Sequence, residues 1–162
     1  MTKLPDDPQV TPSRQSRRGV LLGGVVFLAA GASIAAHWFN IWAETGEMKL
    51  SVAEAHRAAL AGEIVLIDIR RPDEWALTGI GEGAVPIDMR RPDFKAALAA
   101  AMGGDRSRPV ALICARGVRS RRMADGLRSA GFTSVLDVPE GMMGSGAGPG
   151  WLRAGLPVEI NN

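Results

Sequence analysis

Between Glu63 and Arg70 the chain carries Ile64, Val65, Leu66, Ile67 and Ile69, interrupted only by Asp68. A strand with one wet face alternates apolar and polar residues. This run does not, so it reads as a strand buried on both sides, which requires helices over both faces of its sheet. Val110 to Ile113 and Ser134 to Val138 read as further short strands, and Val85 to Met89 supplies a fourth. The segments between them are helical. Ser51-Val52-Ala53-Glu54 is a capping box opening a helix that runs to Gly62, and Pro92 opens another with Phe94, Leu98 and Met102 at four-residue spacing, closed by Gly103-Gly104. Asp73-Glu74-Trp75 begins a short turn or helix before the glycine-rich crossover TGIGEGA. EGMMGSGAGPG is too rich in glycine for regular structure and leads into Trp151 to Gly155. Strands alternating with helices predict an α/β domain with a small, mostly parallel sheet and helices on both faces.

The chemistry concentrates in VALICARGVRSRR, Val110 to Arg122. The apolar strand ends on Cys114, the chain's only cysteine. Gly117 supplies a tight loop's conformational freedom, and Ser120 is the expected N-cap of a helix with Met123, Leu127 and Ala130 on its apolar face. Such a loop turns successive N–H groups inward over the positive end of a helix dipole, and Arg116, Arg119, Arg121 and Arg122 add charge. That setting favours a thiolate nucleophile and an anionic co-reactant. A lone cysteine is most often a small buried hydrophobe, and arginines opening a helix are often a solvated face. A buried structural cysteine, however, needs neither the glycine three residues on nor four arginines within eight.

Charge and hydropathy divide the chain into a polar, basic 1–18, an apolar 19–43 and a domain from 44 to 162. Lys3, Arg14, Arg17 and Arg18 precede residue 19, and the remaining 15 cations face 15 anions once Asp6 and Asp7 are set aside. A domain without net positive charge is a poor match for nucleic acid. Prolines 5, 8 and 12 mark the first segment as one expected to be disordered. Gly19 to Ala43 has no charge, and Trp38, Phe39 and Trp42 suit a membrane interface. Read as an uncleaved anchor, with basic residues only on its N-terminal side, it leaves the domain on the periplasmic side of a bacterial inner membrane. Arg17-Arg18 before a Gly/Ala-rich stretch also partly resembles a twin-arginine export signal, which would deliver the domain to the same side.

Taken together, LIDIRRPDEW, TGIGEGAVPI, VALICARGVRS with its helix ending AGF, VLDVPEG and GWLRAGLPV resemble a single-domain rhodanese over nearly all of Ser51 to Val158. Cys114, Gly117 and Ser120 match the family's Cys-x-x-Gly-x-x-Ser loop. The resemblance implies sulfur transfer without metal or organic cofactor. The Cys114 thiolate would take the outer sulfur of a small anionic donor such as thiosulfate and pass it from a persulfide to cyanide or a thiol. It further implies that N–H groups from Ala115, Arg116, Gly117, Val118, Arg119 and Ser120 cradle the persulfide, and that Arg116 and Arg119 bind the donor's sulfonate end. Arg121 and Arg122 are expected to face water, and Asp68 and Arg70 to brace strand and loop. An Arg70–Glu74 ion pair, Trp75 in the core, and Met142 or Met143 at the pocket mouth are further expectations. The chain departs from the family at Gly79-Ile80-Gly81-Glu82-Gly83-Ala84, which lacks the usual histidine, and at the long stretch Gly141 to Gly150.

Two rival readings remain. Phosphatases and arsenate reductases of the same fold use a longer loop, with arginine after five intervening residues, where this chain has Ser120. A rhodanese-like module could also serve as a docking or sulfur-carrier domain at the membrane. A Cys–His hydrolase is poorly supported, because His37 lies in the apolar segment and His56 is expected on the surface of the first helix.

Overall fold

The structure, a computed structural model, describes residues 48–160. The segment at 1–18 and the anchor or export signal at 19–43 lie outside the described residues. Among the described residues no helix is long and apolar enough to cross a membrane.

Eleven elements follow Leu50 among the described residues: α1 (Val52–Leu60), β1 (Val65–Asp68), α2 (Pro72–Thr78), β2 (Ile80–Gly81), β3 (Ala84–Pro86), α3 (Phe94–Ala101), β4 (Val110–Ile113), α4 (Val118–Ser129), β5 (Val135–Val138), α5 (Gly150–Arg153) and β6 (Val158–Glu159). The main sheet is wholly parallel in the order β3-β1-β4-β5. Short β2, within the glycine-rich crossover, pairs antiparallel with β6.

Every residue of β1, β4 and β5 is buried, as double-sided coverage demands. On one face Val65, Ile67, Ile69, Val110, Leu112, Cys114 and Val135 pack with Phe94, Leu98 and Met102 of the α3 region and with Ala124 and Leu127 of α4. Leu66, Ala111, Ile113, Leu136 and Val138 alternate with them and point to the other face. The capping box that opens α1 is formed, with the Glu54 N–H donating to Ser51 Oγ and the Ser51 N–H to Glu54 Oε2. Pro92 lies in the turn before α3 rather than in its first turn, and Asp93 takes the cap position.

Residues 48–50 extend the sheet past β5. The Asp137 N–H donates to the Met48 carbonyl (2.8 Å) and the Leu50 N–H to the Asp137 carbonyl (2.9 Å), with Lys49 in a parallel bridge to Asp137. The expected surface position of His56 is not what the fold gives it. Its ring packs edge-on against Trp151 with centroids 5.2 Å apart, and Nε2 lies 2.7 Å from Glu82 Oε2.

Candidate active site

β4 ends at Ile113, and Cys114 therefore emerges at the carboxyl end of an interior parallel strand, where open α/β sheets hold ligands. Its side chain is 1% exposed, and Sγ lies 3.5 Å from Ser120 Oγ. Ser120 is not the N-cap that its position suggested. Gly117 holds that place at φ +80°, and Ser120 sits buried inside the first turn of α4, its hydroxyl donating to the Gly117 carbonyl at 3.1 Å. The cap moved because the chain must turn sharply over the segment after β5. A side chain at Gly117 would collide with the Pro139 carbonyl.

The loop is backed from behind by the 138–143 segment. The Met142 N–H donates to the Cys114 carbonyl and the Met143 N–H to the Ala115 carbonyl, both at 2.9 Å. Gly141, at φ +67°, permits this approach, since a Cβ there would stand 2.6 Å from the Ala115 carbonyl oxygen. Glu140 ties the same segment down by accepting from the N–H groups of Val52 and Gly150, each at 3.1 Å. Met142 is fully buried and packs, whereas Met143 is exposed.

The Cys114 and Ala115 carbonyls are thus occupied, whereas the amides that follow are not. The amide N–H groups of Ala115, Arg116, Gly117, Val118, Arg119 and Ser120 find no acceptor among the described residues. Three of them are the orphan donors of α4's first turn, a helix N-terminus that follows Cys114 closely in the chain.

The arginines divide by occupation. Arg119 makes a two-pronged ion pair with Glu74, at 2.8 and 2.6 Å, and Glu74 also accepts from the Arg71 N–H at 3.1 Å. The Arg119 bond, helped by Arg71 and opposed by burial, pulls the Glu74 carboxyl down to about 2. In return Glu74, with a smaller contribution from Cys114, holds Arg119 more firmly protonated. Arg116, Arg121 and Arg122 are exposed and make no ion pair among the described residues. They line a groove of about 510 Å³ beside the loop, together with Lys49, Gly117 and Ser145.

The expected Arg70–Glu74 ion pair does not form. Arg70 is 1% exposed and turns its guanidinium to Asp68, with Nε–Oδ1 at 3.0 Å and Nη2–Oδ2 at 2.7 Å, and to the Gly79 carbonyl at 2.7 Å. It touches Glu74 only through that residue's carbonyl, at 3.4 Å. Asp68 and Arg70 thus join the end of β1 to the end of α2. Trp75 is buried. Sequence reasoning missed Glu74 as the partner of Arg119, because 45 residues separate them. It also missed Asp137, whose signal was a carboxylate inside the apolar run VLDV.

Residues 51–145 match the family model of the rhodanese-like domain. No curated protein matches the chain. Among solved structures, the polysulfide-sulfur transferase homodimer of Wolinella succinogenes is 26% identical with a TM-score of 0.56, over 87% of this chain and 94% of that one. A thiosulfate sulfurtransferase of Pseudomonas aeruginosa is 25% identical with a TM-score of 0.56, over 75% of this chain but only 22% of that larger one. A Rhodopseudomonas palustris protein of unknown function, described as a possible tyrosine phosphatase, is 25% identical with a TM-score of 0.53, over 72% of this chain and 88% of that one.

Proposed function

The chain belongs to the rhodanese-like domain family, and we propose that it is a sulfurtransferase carrying sulfane sulfur on Cys114. The observation that carries this reading is the set of six unoccupied N–H groups from Ala115 to Ser120 around one buried sulfur. They suit an anion that grows outward from Sγ, which a terminal persulfide is. The Cys114 thiolate attacks the outer sulfur of thiosulfate, a new S–S bond forms, and the bond to the sulfonate sulfur breaks with its electron pair leaving on sulfite. Cyanide or a thiolate then attacks the terminal sulfur and returns Cys114 as thiolate, so no electrons are left over.

Arg116, exposed and without an ion pair among the described residues, is the cation for the donor's sulfonate end. Arg119, occupied by Glu74, instead holds α2 against the loop and lends its charge to the sulfur. Val118 serves through its amide, its side chain being exposed. Asp68 and Arg70 act behind the loop as a brace. The apolar run from Gly19 to Ala43 after Arg17-Arg18 supports placing this activity on the periplasmic side of a bacterial inner membrane, with a membrane anchor or an export signal as its means. Protease protection in spheroplasts tests the placement.

One neighbour favours a phosphatase reading, but a six-residue loop with Ser120 where that chemistry needs arginine supports it less well. Intact mass of the full chain decides. Thiosulfate should add roughly one sulfur atom that cyanide removes, and Cys114→Ser should add nothing, the signature of a covalent half-reaction. No adduct on the native chain sinks thiosulfate as donor.

A further inference from the structure

Arg70, Arg71, Arg90, Arg91, Arg119 and Arg128 each hold a carboxylate. Arg116, Arg121 and Arg122 make no ion pair among the described residues, and all three line the one groove of about 510 Å³. Like charges gathered in a concavity repel one another and concentrate anions there. The wall of the groove includes Arg116, Gly117 and Val118 of the cysteine loop and continues along α4. There Val118, Arg121, Arg122 and Asp125 fall at the three- and four-residue spacing of one helix face. Asp125 is paired to Arg128 at 2.8 Å, and both oxygens of Asp137, which also lines the groove, are buried.

Donor binding as read above uses Arg116 and leaves Arg121 and Arg122 without a part in it. The groove they line is of the size that holds ligands much larger than thiosulfate. We propose that this groove is the acceptor's subsite, and that the acceptor is a small thiol bearing carboxylates that Arg121 and Arg122 hold; the inference rests on the sulfurtransferase reading. The cations line a concavity rather than a flat patch, and Cys114 is 1% exposed, so a small molecule fits better than a protein surface. Val118, 58% exposed on the same wall, offers apolar contact to the acceptor's carbon chain.

The acceptor's thiolate attacks the terminal sulfur of the Cys114 persulfide and a new S–S bond forms. The old S–S bond breaks with its electron pair returning to Cys114 Sγ, so the acceptor leaves as a persulfide anion and Cys114 as thiolate. Both reactants are anions, and every carboxylate on the acceptor adds to their repulsion. Arg121 and Arg122 offset it where the acceptor docks. Cyanide and an uncharged thiol have no second anionic group, so neither gains from the groove.

The test is turnover of the full chain with thiosulfate and, in turn, mercaptosuccinate, mercaptoethanol and cyanide, read by sulfite release. Arg121→Gln combined with Arg122→Gln should raise KM for mercaptosuccinate about five- to twentyfold, the scale of two exposed charge pairs, with kcat within about twofold. KM for mercaptoethanol and for cyanide should move by less than about twofold, and high salt should erase the native chain's advantage with mercaptosuccinate. An unchanged KM for mercaptosuccinate overturns the proposal, and so does an equal loss with all three acceptors. The second arm needs no sulfur transfer. The Cys114 thiolate opens dithiobis(nitrobenzoate), which carries carboxylates, and dithiodipyridine, which carries none, each releasing one thiolate and leaving its other half on Sγ. The double variant should slow about five- to twentyfold with the first and less than about twofold with the second. If thiosulfate fails to load Cys114 while this ratio falls, the sulfurtransferase reading fails and the groove keeps its role. If sulfur transfer proceeds and neither comparison separates the variant from the native chain, the reverse holds.

Discussion

The two flanks of the cysteine loop carry the same functional group in opposite states. On the α2 side Glu74 is held by Arg119 and Arg71, and its carboxyl is pulled down to about 2. On the β5 side neither oxygen of buried Asp137 has a hydrogen-bond partner among the described residues, and burial pushes its carboxyl up. Supply of donors separates the two flanks, since Glu74 accepts from Arg119 and Arg71. One flank keeps its charge far below neutrality, and on the other burial works against the charge.

The bluntest way to break this contrast is to remove what both flanks surround. Cys114→Ser should lower sulfur transfer by at least about a thousandfold, the cost of losing a nucleophile, while thermal unfolding stays close to native. Next is the hinge that lets the β5 side reach the loop. Gly141→Ala should lose about 1–3 kcal/mol of stability in urea unfolding, through strain at positive φ and the close Ala115 carbonyl, and most of its transfer rate.

Glu74→Gln sharpens the comparison from the acid side. The Glu74 carboxyl is lower folded than unfolded, so its stabilisation is present above about pH 4.5 and lost as pH falls towards about 2. The native chain should weaken across that window by about 1–2 kcal/mol more than Glu74→Gln, a value discounted for partial exposure. Asp137→Asn sharpens it from the other side. Its carboxyl is higher folded than unfolded, so the folded chain holds the extra proton and stability declines as pH rises above the ordinary carboxylate range. The variant should flatten that slope in urea unfolding. The smallest effect is expected at Arg122→Gln, which is exposed and makes no ion pair among the described residues and should leave stability within about 0.5 kcal/mol.

Elements set by local pattern were legible in the sequence. β4 lies where the run Val110 to Ile113 put it, and the Ser51–Glu54 box opens α1, because burial on both faces and capping are written in adjacent residues. The cysteine, its loop and the parallel sheet followed from the same reasoning. What failed was choice among partners. Arg70 could reach two carboxylates by spacing, and the fold took Asp68, two residues away, leaving Glu74 for an arginine 45 residues on. Ser120 carries an N-cap's residue type, yet Gly117 was required by the carbonyl of Pro139, which no local window contains.

The backing of the loop by Met142 and Met143 also has an order in time. A chain made from its N-terminus presents Cys114 before the residues that cover its carbonyl side, and the edge made by residues 48–50 waits for Asp137 to close it. Until that last stretch arrives, the thiol stands in an unfinished cleft. Once the 138–143 segment has docked, Cys114 is 1% exposed, and burial of that kind slows oxidation of a thiol.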